Sequence, residues 1–363
     1  MTTRRAFVAG ALAAGFAPTP TWAEAGSPRY LSAARKADGR FALFGLSATA
    51  EVLFEIGLPA RGHAAAAHPH RPEAVAFARR PGTYALVIDC VTGRSKAGLA
   101  APEGRHFYGH GAFSSDGALL FTTENDYEGG TGRVGVWNAK GGYVRIGEFT
   151  SGGIGPHDIK LMPDGQTLVV ANGGIDTHPD TGRAKLNIPT MRPNLSFIHL
   201  NGRIEESVEL DDALRLNSIR HLAVGSDGTV AFAMQWQGDV SDAVPLLGLR
   251  HADGAITLVD TERETGSDLQ GYVGSVAIDR LGQLVAITSP RGGVFQVIDA
   301  KSAQVVVNAP IPDACGVAMA EEGFVVTSGD GLISIGLGAE GDASAMTQHH
   351  WDNHLIPVGD LNS

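Results

Sequence analysis

The chain has 363 residues, 43% of them hydrophobic and 18% charged, with 48 glycines, 18 prolines and a formal charge of −11. That is enough for one large domain with a sizeable core. The acidic balance, with no basic stripe, excludes nucleic acid as an expected partner, and so much scattered glycine suits many tight turns between short strands.

The first element is an export signal. "TTRRAFVAGALAAGFAPTPTWAEA" carries the pair Arg4 and Arg5, then Phe7, then a short run of small apolar residues. This is the pattern of a twin-arginine signal peptide over residues 1–25, with cleavage after Ala23 or Ala25. The apolar run is too short to span a bilayer, and no later stretch is long enough to be a transmembrane helix. The expected location of the mature protein is the periplasm, as a single domain over residues 26–363.

The next elements repeat. "YLSAARKADGRFALFGLSATAEVLFEIGLPARGH" parallels "AVAFARRPGTYALVIDCVTGRSKAGLAAPEGRH" further on. Then come "GHGAFSSDGALLFTTEND", "GIGPHDIKLMPDGQTLVVANGG", "RHLAVGSDGTVAFAMQWQGD", "GSVAIDRLGQLVAITSPRGG" and "CGVAMAEEGFVVTSGDG". Each holds a short apolar segment, a turn ending in glycine and a second apolar run, and most are followed by a third strand. Units of about 40 to 50 residues with four strands are propeller blades. Their heads fall at His63, His110, His157, His221, Ser275 and Gly316, at intervals of 47, 47, 64, 54 and 41 residues. The first unit lacks its innermost strand. "NHLIPVGD" near the C-terminus, with His354, parallels "RHLAVGSD" with His221 and supplies it. The expected fold is an all-β, seven-bladed β-propeller whose first blade is closed by a C-terminal strand.

In such a blade the start of the first strand and the loop after the second share one face. His63, His110, His157, His221 and His354 are therefore expected around one mouth of the central channel, in five consecutive blades. Imidazoles converging on a narrow channel suit iron, copper, zinc or nickel, three or four of them being enough for one ion. They could instead plug the channel as packed or solvated side chains, or serve as acid–base groups. Loops on the same face offer Glu124, Asn125, Asp126, Asn172, Asp176, His178, Arg183, Lys185, Arg192, Asn194, Gln235, Gln237 and Arg291. The longest of them, inside the 64-residue interval, could form a lid. Cys90 and Cys315 fall in blades that are not neighbours, so no disulfide between them is expected, while Cys315 beside Gly316 is an additional candidate soft ligand.

"GHGAFSSDGALLFTTENDYEGGTGRVGVW", "GIGPHDIKLMPDGQTLVVANGGIDTHPDTGRAKLNIPTMRPNLS", "GSVAIDRLGQLVAITSPRGG" and "CGVAM" resemble domain-of-unknown-function family 1513, a family of exported bacterial proteins similar to propellers of the YVTN and WD-repeat type. The resemblance implies periplasmic iron or copper handling, alongside imelysin-type and di-haem peroxidase-like iron-uptake proteins as partners. The histidine column also resembles the hub of nitrous oxide reductase propellers, but Ser275 and Gly316 replace histidine in two blades and there is no cupredoxin domain. Three functions follow as expectations. One is a metal-binding propeller. The second is an enzyme at the same mouth, either a metal-dependent oxidoreductase or a lactonase-like hydrolase with Glu124, Asn172 and Asn194 around a hard divalent ion such as calcium. The third is a protein-interaction scaffold.

Overall fold

The computed structural model describes residues 19–79, 83–182, 184–261, 265–266, 269–337 and 343–359. Over these the chain forms seven four-stranded antiparallel sheets. Blade 1 combines Tyr30–Arg35, Phe41–Leu46 and Val52–Leu58 with the C-terminal strand His350–Pro357. The innermost strands of blades 2 to 7 are Gly62–Ala67, Arg105–Phe113, Pro156–Leu161, Asn217–Val224, Ser275–Ile278 and Ala314–Met319. The expected architecture and its closure are both present. Tyr30 pairs with Pro357 and Ser32 with Leu355, and the Ser32 hydroxyl donates to the His354 carbonyl at 3.0 Å. Closing the ring removes the free edges that an open array of blades would present.

The sequence pattern explains the layering. Inner and middle strands such as Glu73–Ala78 and Thr167–Asn172 are buried along their whole length, because both faces of a blade pack on its neighbours. Outermost strands alternate instead, as in Gln304–Pro310, where every second residue faces water. The apolar clusters consequently bridge blades. Tyr30 and Phe44 of blade 1 pack with Phe324 and Val326 of blade 7 and Phe295 of blade 6.

Backbone irregularity is concentrated at the channel. Against the second strand, register shifts between Gly62 and Ala65, Phe107 and Gly111, Pro156 and Asp158, Ile219 and His221, and Ala314 and Val317. In blade 1 the same shift lies opposite Ser32–Ala34. Only Ser275–Ile278 of blade 6 pairs without one. A bulge bends the strand and re-aims its side chains. Four of the five column histidines lie inside a bulge and His221 closes one.

The first 18 residues of the expected export segment lie outside the described residues. Its end, Trp22–Ala25, forms a 3-10 turn capped by Thr21 and Glu24. Trp22 is buried among Leu31, Leu43 and Ala65, and its indole N–H donates to the His68 carbonyl at 2.9 Å. No described helix is long and apolar enough to cross a membrane.

Candidate metal centre

The five histidines meet inside the channel. Neighbouring rings have centroids 4.7–5.9 Å apart, His63–His354 and His157–His221 being among the nearest pairs and His110–His221 the widest. His110, His221 and His354 are buried, whereas His63 and His157 keep partial exposure. Two groups could hold a metal ion, His63 with His110 and His157, and His110 with His221 and His354; within each, ligand atoms lie no more than 4.8 Å apart.

Two glycines make this crowding possible. Gly109 has φ +104°, and a Cβ there would lie 2.4 Å from His63 Cδ2. Gly316 stands where blade 7 would carry its own channel side chain, and a Cβ there would lie 2.8 Å from the Leu355 nitrogen. The missing histidine of blade 7 thus lets the C-terminal strand approach closely and bring His354 to the cluster. In blade 6, Ser275 is buried and its Oγ accepts from the Val317 N–H at 3.4 Å.

A residue absent from the sequence-based candidates organises the centre. Asp158 follows His157, is 3% exposed, and turns its carboxylate across to blade 3. Its Oδ1 lies 3.1 Å from His110 Nδ1 and also accepts from the Ile159 N–H at 2.8 Å and Lys160 Nζ at 3.2 Å. Its Oδ2 accepts from the Leu222 N–H of blade 5 at 3.0 Å. Burial alone would raise its pKa, but Lys160 and His110 outweigh that and hold it well below the ordinary carboxylate value. A carboxylate on Nδ1 fixes the proton there and leaves a lone pair on His110 Nε2, which accepts from His63 Nε2 and is the atom a metal would use. That nitrogen faces the cluster, 3.2 Å from His63 Nε2.

The remaining imidazoles are poised for a ligand. His157 Nδ1, His221 Nδ1 and His354 Nε2 are buried with no hydrogen-bond partner, an arrangement that costs free energy unless something meets them. Burial, followed by repulsion from neighbouring histidines, holds the pKa values of His63 and His354 far below normal, and burial with His221 and Arg220 does the same to His157. Burial with His110 brings His221 down to about 3. Neutral imidazole is the form that coordinates metal. With metal–nitrogen bonds of about 2.0–2.1 Å, two ligand nitrogens on one ion stand about 3–4 Å apart. The His63–His110 separation already falls there, so the residues fit a histidine-bound ion.

The loop candidates divide. Glu124 is fully buried within the strand Leu119–Asp126, and both its oxygens accept from Arg145, at 2.6 and 2.9 Å. Asn172 donates to the Ser151 carbonyl and Ser196 Oγ, and Asn194 to Ser207 Oγ and the Gly152 carbonyl. Asn172 and Asn194 are cross-strand partners that share Ser196 Oγ, but none of these contacts brings Glu124 to them. The geometry therefore does not assemble the oxygen site of the lactonase-like reading, because Arg145 already holds the one carboxylate. Asn125 donates to the Thr177 carbonyl, and Asp126 sits between Arg105 and Arg133. His178 caps a 3-10 turn through Nδ1 and packs edge-on against Tyr127, and is in neither of the two candidate metal groups. Gln235 donates to the Val273 carbonyl at 3.4 Å, and Arg291 lies over Tyr272.

The long loop is a strap fastened to two other blades, with Thr177 held by Asn125 of blade 3 and Lys185 donating to Gln237 of blade 5. Arg183 lies outside the described residues. Cys90 and Cys315 are free and buried. Burial pushes Cys90 up to about 12 and, with Asp313 and Asp352, pushes Cys315 higher still, so neither is a thiolate at neutral pH.

A family profile described as "Protein of unknown function (DUF1513)" matches residues 56–358, and the chain belongs to that family. No curated protein matches it. Among solved structures it is similar to Kuenenia stuttgartiensis hydrazine synthase, at 14% identity and a TM-score of 0.60, covering 88% of this chain and 95% of that one. At that identity the likeness is one of fold.

Proposed function

We propose that this DUF1513 propeller is a periplasmic metal-binding protein that takes an iron or copper ion into its histidine-lined channel. The observation that carries the reading is the set of buried imidazole nitrogens without partners, on rings that burial keeps neutral. His110 is common to both possible triads and its outer nitrogen is already held by Asp158, so it is the central ligand. His63 and His157 would join it from the exposed side, and His221 and His354 from the buried side. Bound there, the ion would supply Lewis-acid or redox chemistry. The chain's own residues hold the imidazoles neutral, fix one tautomer and restrict access. Twin-arginine export, which rests on the sequence, and partnership with imelysin-type or di-haem peroxidase-like proteins, which rests on the family resemblance, belong to the same proposal.

Elemental analysis of protein purified from its own host tests it, wild type beside a His110→Ala, His157→Ala double variant. The expected result is about one transition-metal equivalent per chain, lost in the variant. No metal in the wild type, even after reconstitution with ferrous and cuprous ions, would overturn the reading.

A further inference from the structure

The turn at Trp22 conflicts with the export boundary read from the sequence. Cleavage after Ala23 or Ala25 would discard Trp22 from the mature chain. Yet its indole is a buried member of the core at the seam between blades 1 and 2. Blade 2 contributes Ala65, Ala67, Ala74 and Ala76 to that seam, and these short side chains leave room for a large ring against Leu31 and Leu43 of blade 1. The indole N–H is satisfied as well, donating to the His68 carbonyl at 2.9 Å. Val358, just past the closing strand, joins the same cluster, and its N–H donates to the Arg29 carbonyl at 2.9 Å. Residues from both ends of the described chain are thus fastened at one seam.

The backbone at both expected cleavage points is held too. The Glu24 N–H donates to the Thr21 carbonyl at 3.2 Å, the Gly26 N–H to the Ala23 carbonyl at 3.1 Å and the Ser27 N–H to the Trp22 carbonyl at 2.9 Å. The Thr21 N–H and hydroxyl both donate to the Glu24 carboxylate, at 2.8 and 2.7 Å. Gly26 closes the turn at φ +86°. The bonds Ala23–Glu24 and Ala25–Gly26 lie inside this turn, and a peptidase acts on backbone freed from its hydrogen bonds. Cutting either one therefore requires the turn to open first. Twin-arginine export carries chains already folded, so a peptidase on the far side meets the turn closed.

We propose that Trp22 is a latch retained in the mature protein, and that any processing of the export segment falls on the N-terminal side of Thr21. The latch stands on the packing; its bearing on processing rests on the export reading above. His68, which holds the indole, follows the far end of the strand that carries His63 near its start. The segment before Thr21 accordingly leaves the domain away from the histidine mouth, and whatever grips the signal leaves the channel clear.

Intact mass spectrometry of the exported full chain tests this, wild type beside Trp22→Ala. The wild-type mass includes Thr21 and Trp22, an arm that needs no substitution. In Trp22→Ala the turn loses its anchor, and a product beginning at Glu24 or Gly26 becomes the main one. Thermal melting of both full chains, purified from the cytosol before export, reads the latch by itself: Trp22→Ala melts about 5–10 °C lower, as for loss of a large core side chain. Absence of any exported product refutes the export reading, and the melting comparison still decides the latch. A wild-type mass beginning at Glu24 or Gly26, a Trp22→Ala chain left uncut at those bonds, or melting points within about 1 °C of each other overturns the proposal.

Discussion

Replacing Asp158 by Asn changes no volume and removes one buried charge. In the native protein its four hydrogen-bond partners come from three blades: His110, Ile159, Lys160 and Leu222. An amide can keep its oxygen toward His110 and Ile159, but its NH₂ then faces the Leu222 N–H, donor against donor. A lost hydrogen bond to a charged acceptor costs about 1.5–3 kcal/mol. The contacts that survive now go to a neutral oxygen, so the whole change should cost about 3 kcal/mol, within the 3–5 kcal/mol seen for broken buried pairs. Lys160 is a third exposed and adds little to this sum. Urea denaturation of the metal-free proteins measures the loss, and metal titration should show affinity about 10–100-fold weaker because His110 is no longer held in one tautomer. A loss below about 1 kcal/mol refutes the buried network. Unchanged metal affinity in a folded variant refutes the positioning role.

The histidines set a pH dependence. Their folded-state pKa values lie below the unfolded value near 6.5, so the unfolded chain takes up protons first as pH falls. Stability of the metal-free protein should hold above about pH 6.5 and fall below it, by about 1.4 kcal/mol per pH unit for each of His63, His157, His221 and His354. For His221 the loss continues down to about pH 3. Urea midpoints that are flat between pH 7.5 and 5.5 would show that these rings are not buried neutral. Glu124→Gln should cost about 1.5–3 kcal/mol in thermal or urea unfolding, because the amide can keep only one oxygen toward Arg145, which Glu148 still holds. Metal content of the folded variant should be unchanged, whereas a drop would return Glu124 to the list of ligands. Gly109→Ala should leave circular dichroism of the blades intact and reduce metal uptake at least tenfold, since the new methyl occupies the place of the His63 ring. Full uptake would mean that His63 is dispensable.

Much of this was legible in the sequence because propeller blades repeat. The spacing of His63, His110 and His157 placed them on equivalent strands, and "NHLIPVGD" revealed the closing strand by its likeness to "RHLAVGSD". Periodicity reports which strand a residue is on, but not where a bulge turns its side chain. Asp158 was overlooked for that reason. It stands beside His157 in "PHD", but the register shift sends its carboxylate to His110 in the preceding blade. Glu124 was misplaced for a different reason. "TTEND" reads as a polar loop, yet it continues a buried strand whose acid is answered by Arg145, 21 residues away.

The closing strand also fixes when the centre can exist. His354 reaches its place only when His350–Pro357 pairs with Tyr30–Arg35, a union across 322 residues between Ser32 and His354. Contacts of such separation form late in folding. A nascent chain halted before residue 350 holds four of the five imidazoles on an unclosed ring. Under the proposed metal-binding reading, the full five-imidazole centre would therefore be complete only once the last strand has paired.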